Sequence, residues 1–377
     1  MDTPEFLSST LHIITFFAVP LHILGTYCIL AKTPKSMSSV KWVMFNFHFW
    51  CMILDWSLTI LTIPFLLFPA LAGFPLGVLN EFGVSVAIQV YLIVTLLGVI
   101  QTSIIQIFEN RFFILFGTKT KWKNYRKLFI ACTYIASVTF FIPAVLLVPD
   151  QTIGMQIVFE ILPDLPHEIR KMPIYVFAIE FRFVVVPVAI MAVSHTIEWY
   201  IFFKLISTNM KLSIKTMVHS KNTIGLQKRF IKAMTVQSAA FLLNLQIPVL
   251  YMFVCVVALF NVPDQTIAVK HIHEIIPNLS PTISDDKIFV LALEFTYVVV
   301  PVCMGPVIYG IISQFTGYYN QAFNNLSFIF LSIHGVSSTS VMLYLHKPYR
   351  EYCGQVIGMA KKTMPQRSVV SVVLSSQ

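Results

Sequence analysis

Uncharged apolar positions run on for roughly 18 or more residues at a time along most of this chain, and the charged positions gather in the short stretches between. A helix rises about 1.5 Å per residue, so about 20 such residues cross a hydrocarbon core of about 30 Å. The pattern predicts eight hydrophobic helices, near 11–31, 42–69, 84–108, 127–149, 173–206, 231–260, 288–313 and 323–345. Pro20, Pro64, Pro143, Pro187, Pro248, Pro301 and Pro306 fall inside them. Kinks are expected there rather than ends, because neighbouring helices can satisfy the carbonyls that a proline frees. The expected fold is an all-α membrane protein, with a polytopic helical domain over 1–350 and a tail over 351–377.

Composition agrees: 56% of the residues are hydrophobic and 11% charged, where a soluble domain carries about a quarter charged residues. The net charge of +9 would suit a nucleic-acid partner if it formed one patch, but it is dispersed. Lys32, Lys35 and Lys41 lie in the first loop, Arg111, Lys119, Lys121, Lys123, Arg126 and Lys127 in the third, and Lys204, Lys211, Lys215, Lys221, Lys228 and Arg229 in the fifth. The loops between them are acidic or nearly neutral. Basic loops stay in the cytosol, so the N-terminus is expected outside, the tail inside, and the basic residues against anionic lipid rather than nucleic acid. Met1 to Thr10 hold Asp2 and Glu5 and no basic residue, which fits a first helix acting as a signal anchor rather than a cleaved leader. The six cysteines, Cys28, Cys51, Cys132, Cys255, Cys303 and Cys353, avoid the outer loops and lack zinc-site spacing. No outer disulfide and no metal are expected of them, and Cys353 is a candidate for palmitoylation.

The stretch Val148-Pro149-Asp150-Gln151-Thr152-Ile153 recurs letter for letter at 262–267, and 20 of the 40 positions in 148–187 match 262–301 without a gap. The matches include polar pairs in register, such as Glu160 with Glu274 and Glu180 with Glu294. Shared hydrophobicity cannot produce those. They indicate a partial internal duplication of an outer loop and the start of the helix after it. The duplicate upsets the crossing count: an outer loop at 261–287 and a cytoplasmic tail need an odd number of crossings between them, yet 288–313 and 323–345 are two. Pro301, Gly305, Pro306 and Gly310 crowd the first of these, making it the expected broken or peripheral segment.

The segments KTPKSMSSVKW (32–42), IPFLLFPALAGFPLG (63–77), FENRF (108–112), VPDQ, YYNQAFNN (318–325) and LSIHGVSSTSVMLYLHKPYR (331–350) resemble, in this order, the nematode chemosensory receptors of serpentine receptor class H. The resemblance spans nearly the whole chain. It implies a seven-transmembrane, GPCR-like bundle, here with an extra hydrophobic segment from the duplication. It also implies a receptor for a small-molecule odorant or other environmental chemical, signalling to a heterotrimeric G protein from the plasma membrane of sensory-neuron cilia. The family's PDQ loop commonly has Cys after Pro, whereas both copies here read otherwise, Pro163-Asp164 and Pro277-Asn278.

Individual residues divide into two groups. Glu109, Asn110 and Arg111 end the third helix where rhodopsin-like receptors carry an acidic-Arg-Tyr switch; an Arg there can pair with a neighbouring acid at rest, or simply anchor the helix at the interface. His346, Lys347, Pro348, Tyr349 and Arg350 make the turn into the tail. For ligand contact the candidates are Asp55, a carboxylate inside the second helix that costs at least ~2.5 kcal/mol unless protein or water faces it, and Glu180 with Arg182 at the outer part of the fifth. Asp55 serves equally as a packing hydrogen bond. Two residues apart on a helix, Glu180 and Arg182 are expected on different faces, unable to neutralise each other. Asn278-Leu279-Ser280 is a glycosylation sequon on the expected outer side. His195 and Glu198 share a helical face at i, i+3 but make too few ligands for zinc. No phosphate loop, nucleophile elbow or catalytic carboxylate pair stands out, and neither an enzyme nor a cofactor is expected. A ligand-gated channel or transporter, or a non-signalling receptor relative, is the alternative.

Overall fold

The computed structural model describes residues 1–35, 38–180, 182–216, 313, 318–345 and 347–356. The predicted helices at 231–260 and 288–313, the repeat at 262–301, Asn278 and His346 lie outside the described residues. Among those described, six helices are long and apolar enough to cross a membrane: Pro4–Ala31, Val40–Leu61, Val86–Leu115, Trp122–Leu146, Arg182–Leu212 and Gln321–Tyr344.

Helix α1 (Pro4–Ala31) starts where the Thr3 hydroxyl accepts from the Phe6 amide, with proline in the first turn, and runs on through Pro20. A proline in that first turn removes only an N–H that no helical carbonyl would have taken. Its bare side, including Ile13, Phe16, Phe17 and Ile23, is exposed, as a lipid-facing stripe should be.

Helix α2 (Ser38–Trp56) widens into a single π turn at Ser57–Leu61 and stops. The sequence pattern carried this helix to residue 69, and the structure corrects it. Pro64 has no N–H to give and disfavours the helical conformation in the residue before it. Ile63 turns left-handed at φ 40, a conformation uncommon for a β-branched residue, and the chain folds into a hairpin of β1 (Pro64–Leu66) and β2 (Leu71–Pro75). Gly77 lets the hairpin close: a Cβ there would lie 2.5 Å from the Leu61 carbonyl oxygen.

After α3 (Val78–Glu81), helix α4 (Val86–Leu115) is the most enclosed. In it 61% of an 18-residue stretch is buried, against 28% in α1, and it packs on α2, α5 and α9. Helix α5 (Trp122–Thr139) is followed by α6 (Ile142–Leu146), which Pro143 opens, so this proline starts a short new helix. The outer segment then forms α7 (Gln151–Ile161), α8 (His167–Arg170) and β3 (Tyr175–Ala178), with α9 (Arg182–Thr216) after them. The helix expected from 173 therefore begins at Arg182, because 175–178 pair antiparallel with β2. The last predicted crossing consists of α10 (Gln321–Ser332) and α11 (His334–Leu345), broken at Ile333, with α12 (Lys347–Val356) after the turn.

The repeated phrase has a structural use in its first copy. Asp150 caps α7 by accepting from the Thr152 and Ile153 amides at 2.9 and 3.2 Å, and those donors hold its carboxyl below the ordinary carboxylate range. A folded-state value that is depressed contributes stability above the unfolded value and loses it only as pH falls toward the folded one, so the cap is fully formed near neutrality. Gln151 donates to the Val176 carbonyl at 3.0 Å and accepts from the Val176 amide at 2.9 Å. One side chain thereby serves the edge of β3 as a neighbouring strand would, and no open edge is left at Val176.

The motif YYNQAFNN closes the same end of the molecule. Asn320 caps α10, Gln321 and Asn324 donate to the Leu66 and Phe68 carbonyls, and Asn325 donates to the Met1 carbonyl at 2.8 Å. N-terminus, hairpin and last crossing are tied together there. We expect Gln151→Ala to cost about 1–3 kcal/mol, the usual cost of leaving buried backbone groups unpaired. Thermal unfolding of the solubilised protein measures it, and an unchanged midpoint would show the clamp to be dispensable.

Candidate functional site

Asp55 is 2% exposed, and its carboxylate is shared among three helices. His22 on α1 meets Oδ2 through Nε2 at 2.9 Å, and the Gly335 amide of α11 donates to Oδ1 at 3.2 Å. That amide sits just past the break at Ile333, in the first turn of α11, where no helical carbonyl claims it. Gly335 must be glycine for the approach: an added Cβ would lie 2.2 Å from Oδ2. The His22 Nδ1 atom is 3.2 Å from the Thr339 hydroxyl, which is 3.4 Å from Nδ1 of His48. His48 uses Nε2 on the His22 carbonyl at 3.1 Å, so this nitrogen is the donor and Nδ1 an acceptor.

The Thr339 hydroxyl has one proton for two imidazole nitrogens, so Nδ1 of His22 donates to it and it donates to Nδ1 of His48. One proton shared between His22 Nε2 and Asp55 Oδ2 completes a continuous chain of hydrogen bonds inside the bundle, joining α1, α2 and α11.

A second carboxylate is buried at the opposite end from Met1. Glu109 is 0% exposed and is held by a fork from Arg126 of α5, Nε to Oε1 at 3.1 Å and Nη2 to Oε2 at 2.8 Å, and by Trp122 Nε1 at 2.8 Å. Arg126 also donates to the Asn110 carboxamide and stacks over the Phe113 ring at 4.0 Å. The acid therefore pairs across helices with Arg126, rather than with its sequence neighbour Arg111. Two residues apart, Glu109 and Arg111 project about 200° apart around the helix, whereas the start of α5 packs beside the end of α4.

Two further polar threads bind the central helix. Asn46 of α2 reaches Ser103, Gln106 and Tyr134 at 3.3, 3.1 and 2.6 Å and accepts from Trp50 at 3.1 Å. Thr102 meets Ser137 of α5 at 2.6 Å and His195 Nε2 of α9 at 2.9 Å. His195 is thus a crosslink between helices. Among the described residues no group of three or more His, Cys, Asp or Glu side chains could hold a metal.

Glu180 and Arg182 form an ion pair, with side chains 49% and 52% exposed. Here the expectation of opposite faces fails, because Glu180 lies in the turn before α9 and helical geometry does not govern it. The candidate ligand contacts are accordingly divided between Asp55 in the core and this pair at the head of α9. At the turn into the tail, Lys347, Pro348, Tyr349 and Arg350 open α12. Tyr349, 1% exposed, bonds the Thr33 hydroxyl at 2.6 Å, and burial raises its phenol above the ordinary value. Arg350 donates to the Tyr344 carbonyl at 3.2 Å. Reading the sequence singled out Asp55 and Glu109 but missed their partners, His22, His48, Gly335, Thr339, Trp122 and Arg126. Gly335 and Thr339 had a signal, since four residues apart in the HGVSST stretch they share one helical face.

Apolar helices bound through buried polar residues and capped at one end by a small sheet define a polytopic receptor-like bundle in a membrane. The family described as serpentine type 7TM GPCR chemoreceptor Srh matches residues 2–258 and 296–359, and the chain belongs to it. The chain is also 26% identical over 176 residues to Serpentine receptor class H-72 of Caenorhabditis elegans, an alignment covering 46% of this chain and 51% of that protein. It thus spans about half the length of the curated relative it matches. No solved structure matches.

Gly335→Ala should destabilise the bundle by driving Asp55 off its partners, by about 3–5 kcal/mol if the pair is broken. In an Asp55→Ala background the same change should cost far less, a coupling that a double-mutant cycle of thermal stabilities reads directly. Equal costs in both backgrounds would show that Gly335 and Asp55 act independently.

Proposed function

We propose that this protein is a chemosensory receptor of the plasma membrane that binds a small environmental chemical and passes the signal to a heterotrimeric G protein. In this reading the Met1 end, with the sheet and the Glu180–Arg182 pair, faces outward. The end with Lys32, Glu109, Arg126 and α12 faces the cytosol, in keeping with the positive-inside rule. The N-terminus is then outside, the tail inside, and sensory-neuron cilia are the expected location.

The observation that carries the reading is the Arg126 fork on Glu109. A carboxylate at 0% exposure, bound by an Arg that is 22% exposed, is a closed contact at the rim between α4 and α5. Separation of the helices would give both groups new partners or water, so the contact has two discrete states of the kind a switch requires. A ligand binding the open state more tightly shifts the population toward it. Arg111, at the same level of α4, is proposed to meet the partner together with Asn110 and the opening residues of α12.

The experiment is basal nucleotide exchange on a co-expressed G protein, which needs no ligand. Glu109→Gln keeps the shape but removes the charge that Arg126 holds. It should raise ligand-independent exchange several-fold at unchanged surface level, and Arg111→Ala should abolish exchange while leaving the protein at the surface. Equal loss of surface delivery and exchange in both variants would make these residues structural. Ligand-evoked current in cells without G-protein signalling would place the protein among channels instead.

The receptor body is proposed to be complete without the duplicate. Support comes from the family match, which passes over 259–295, and from the slow growth of loop-closure entropy with added length. Removal of 261–300, joining Phe260 to Pro301, should leave a chain that reaches the surface with its tail in the cytosol. Retention and degradation, or a tag at residue 360 appearing outside, would overturn that account.

A further inference from the structure

Cys28 and Cys353 meet at the seam between α1 and α12. Both are free, Cys28 fully buried near the end of α1 and Cys353 half-buried on α12. They pack in one apolar cluster with Ile29, Met44 and Leu343, near enough for the two thiols to interact. The preceding residues also pair across the seam: the Tyr27 and Tyr352 rings are 5.5 Å apart. With Thr33 on Tyr349, these contacts hold α12 against the end of α1, Cys28 and Cys353 each following a tyrosine of the ring pair.

Two further features surround the pair. Lys32 lies 5.6 and 4.3 Å from the Tyr27 and Tyr352 ring centres. A cleft of about 430 Å³, lined by Pro20, Ile23, Leu24, Tyr27 and Tyr352, opens at the same seam. Its lining is mostly apolar, which suits a small uncharged molecule.

We propose that Cys28 and Cys353 are a hydroperoxide-reactive pair whose oxidation staples α12 to α1 by a disulfide. The more accessible Cys353 thiolate attacks the terminal oxygen of ROOH and the O–O bond breaks. ROH leaves with the proton, and Cys353 becomes the sulfenic acid. The Cys28 sulfur then attacks the Cys353 sulfur, the S–O bond breaks, and water departs carrying the Cys28 proton. The two thiols supply the two electrons that reduce ROOH to ROH and water, and a dithiol reverses the reaction. Because α12 holds Tyr349 and Arg350 at the turn into the tail, the staple fixes that turn against α1. The chemistry stands whether or not the protein couples to a G protein.

The test uses the full chain in membranes, exposed to hydrogen peroxide or to lipid-soluble cumene hydroperoxide. Free thiols are then alkylated, and the digest is mapped by mass spectrometry. A dithiothreitol-sensitive peptide joining Cys28 to Cys353 is expected, with the alkylated Cys353 peptide falling by more than half while Cys51 and Cys132 stay alkylated. Faster reaction with cumene hydroperoxide assigns entry to the cleft, and faster reaction with hydrogen peroxide assigns it to the aqueous face. In Cys28→Ser the sulfenic acid should persist and be trapped by dimedone; should that variant fail to reach the membrane, the map of the unaltered protein still decides. Recovery of Cys353 as sulfinic acid, S-acylated, or linked to a second copy, with Cys28 still alkylated, would overturn the proposal.

Discussion

Asp55 cannot stand alone inside an apolar helix. A carboxyl group at that depth must find hydrogen-bond partners within the protein. His22 supplies one from α1 and Gly335 a free amide from α11, so the first and last described crossings are brought against the second by one side chain. The break at Ile333 is part of the same device, since a continuous helix would have bound the Gly335 amide to its own carbonyl ladder. Replacement of such a pair by well-packed apolar residues is often neutral or stabilising. What the network adds is a constraint on register: a shift of any one helix leaves a buried polar group unmatched.

The two buried carboxylates of the bundle are built differently, and the difference suits different work. Asp55 is enclosed by groups that are themselves 0–2% exposed, such as His22 and Thr339, so an opened pair would meet only protein. Glu109 is equally buried, but its partner Arg126 reaches it from the rim of the next helix. If Glu109 is uncovered, Arg126 can be solvated at once. The first arrangement holds helices in place, while the second leaves its arginine a path to water. That contrast, more than the FENRF spelling, is the ground on which the switch at Glu109 is proposed.

Much of the bundle was legible in the sequence because its governing signal, the length of an apolar run, is local. The C-terminal ends of α1 and α11 fall at their expected places, 31 and 345, for that reason, whereas α4 runs on past 108 to Leu115. What could not be read were the places where a distant segment overrides the local pattern. Residues 62–75 and 173–178 are apolar enough to continue helices, yet they pair as strands because Pro64 stops α2 and β2 offers β3 an edge. Glu180 and Arg182 were misplaced by the same error, a helix begun several residues too soon. Asp55 and Glu109 announced themselves as charges in apolar surroundings. Their partners did not: a histidine 33 positions away and an arginine 17 away carry no mark of pairing in one sequence.

The duplicated phrase gains meaning from the same long-range pairing. In the first copy Gln151 clamps Val176, 25 residues on, and the second carries Gln265 and Val290 at the same separation, with Asp264 standing where Asp150 caps α7. Cap, clamp and clamped residue were thus copied as one unit. The hairpin was not. Residues 64–75 have a single copy, and β2 is already paired on both edges, by β1 and by β3. The sequence at 289–292 has no second copy of that hairpin to match it. The chain repeats the residues of cap, clamp and clamped position but not the strands they serve in the first copy, and that asymmetry is what favours the proposal of a receptor body complete without the duplicate.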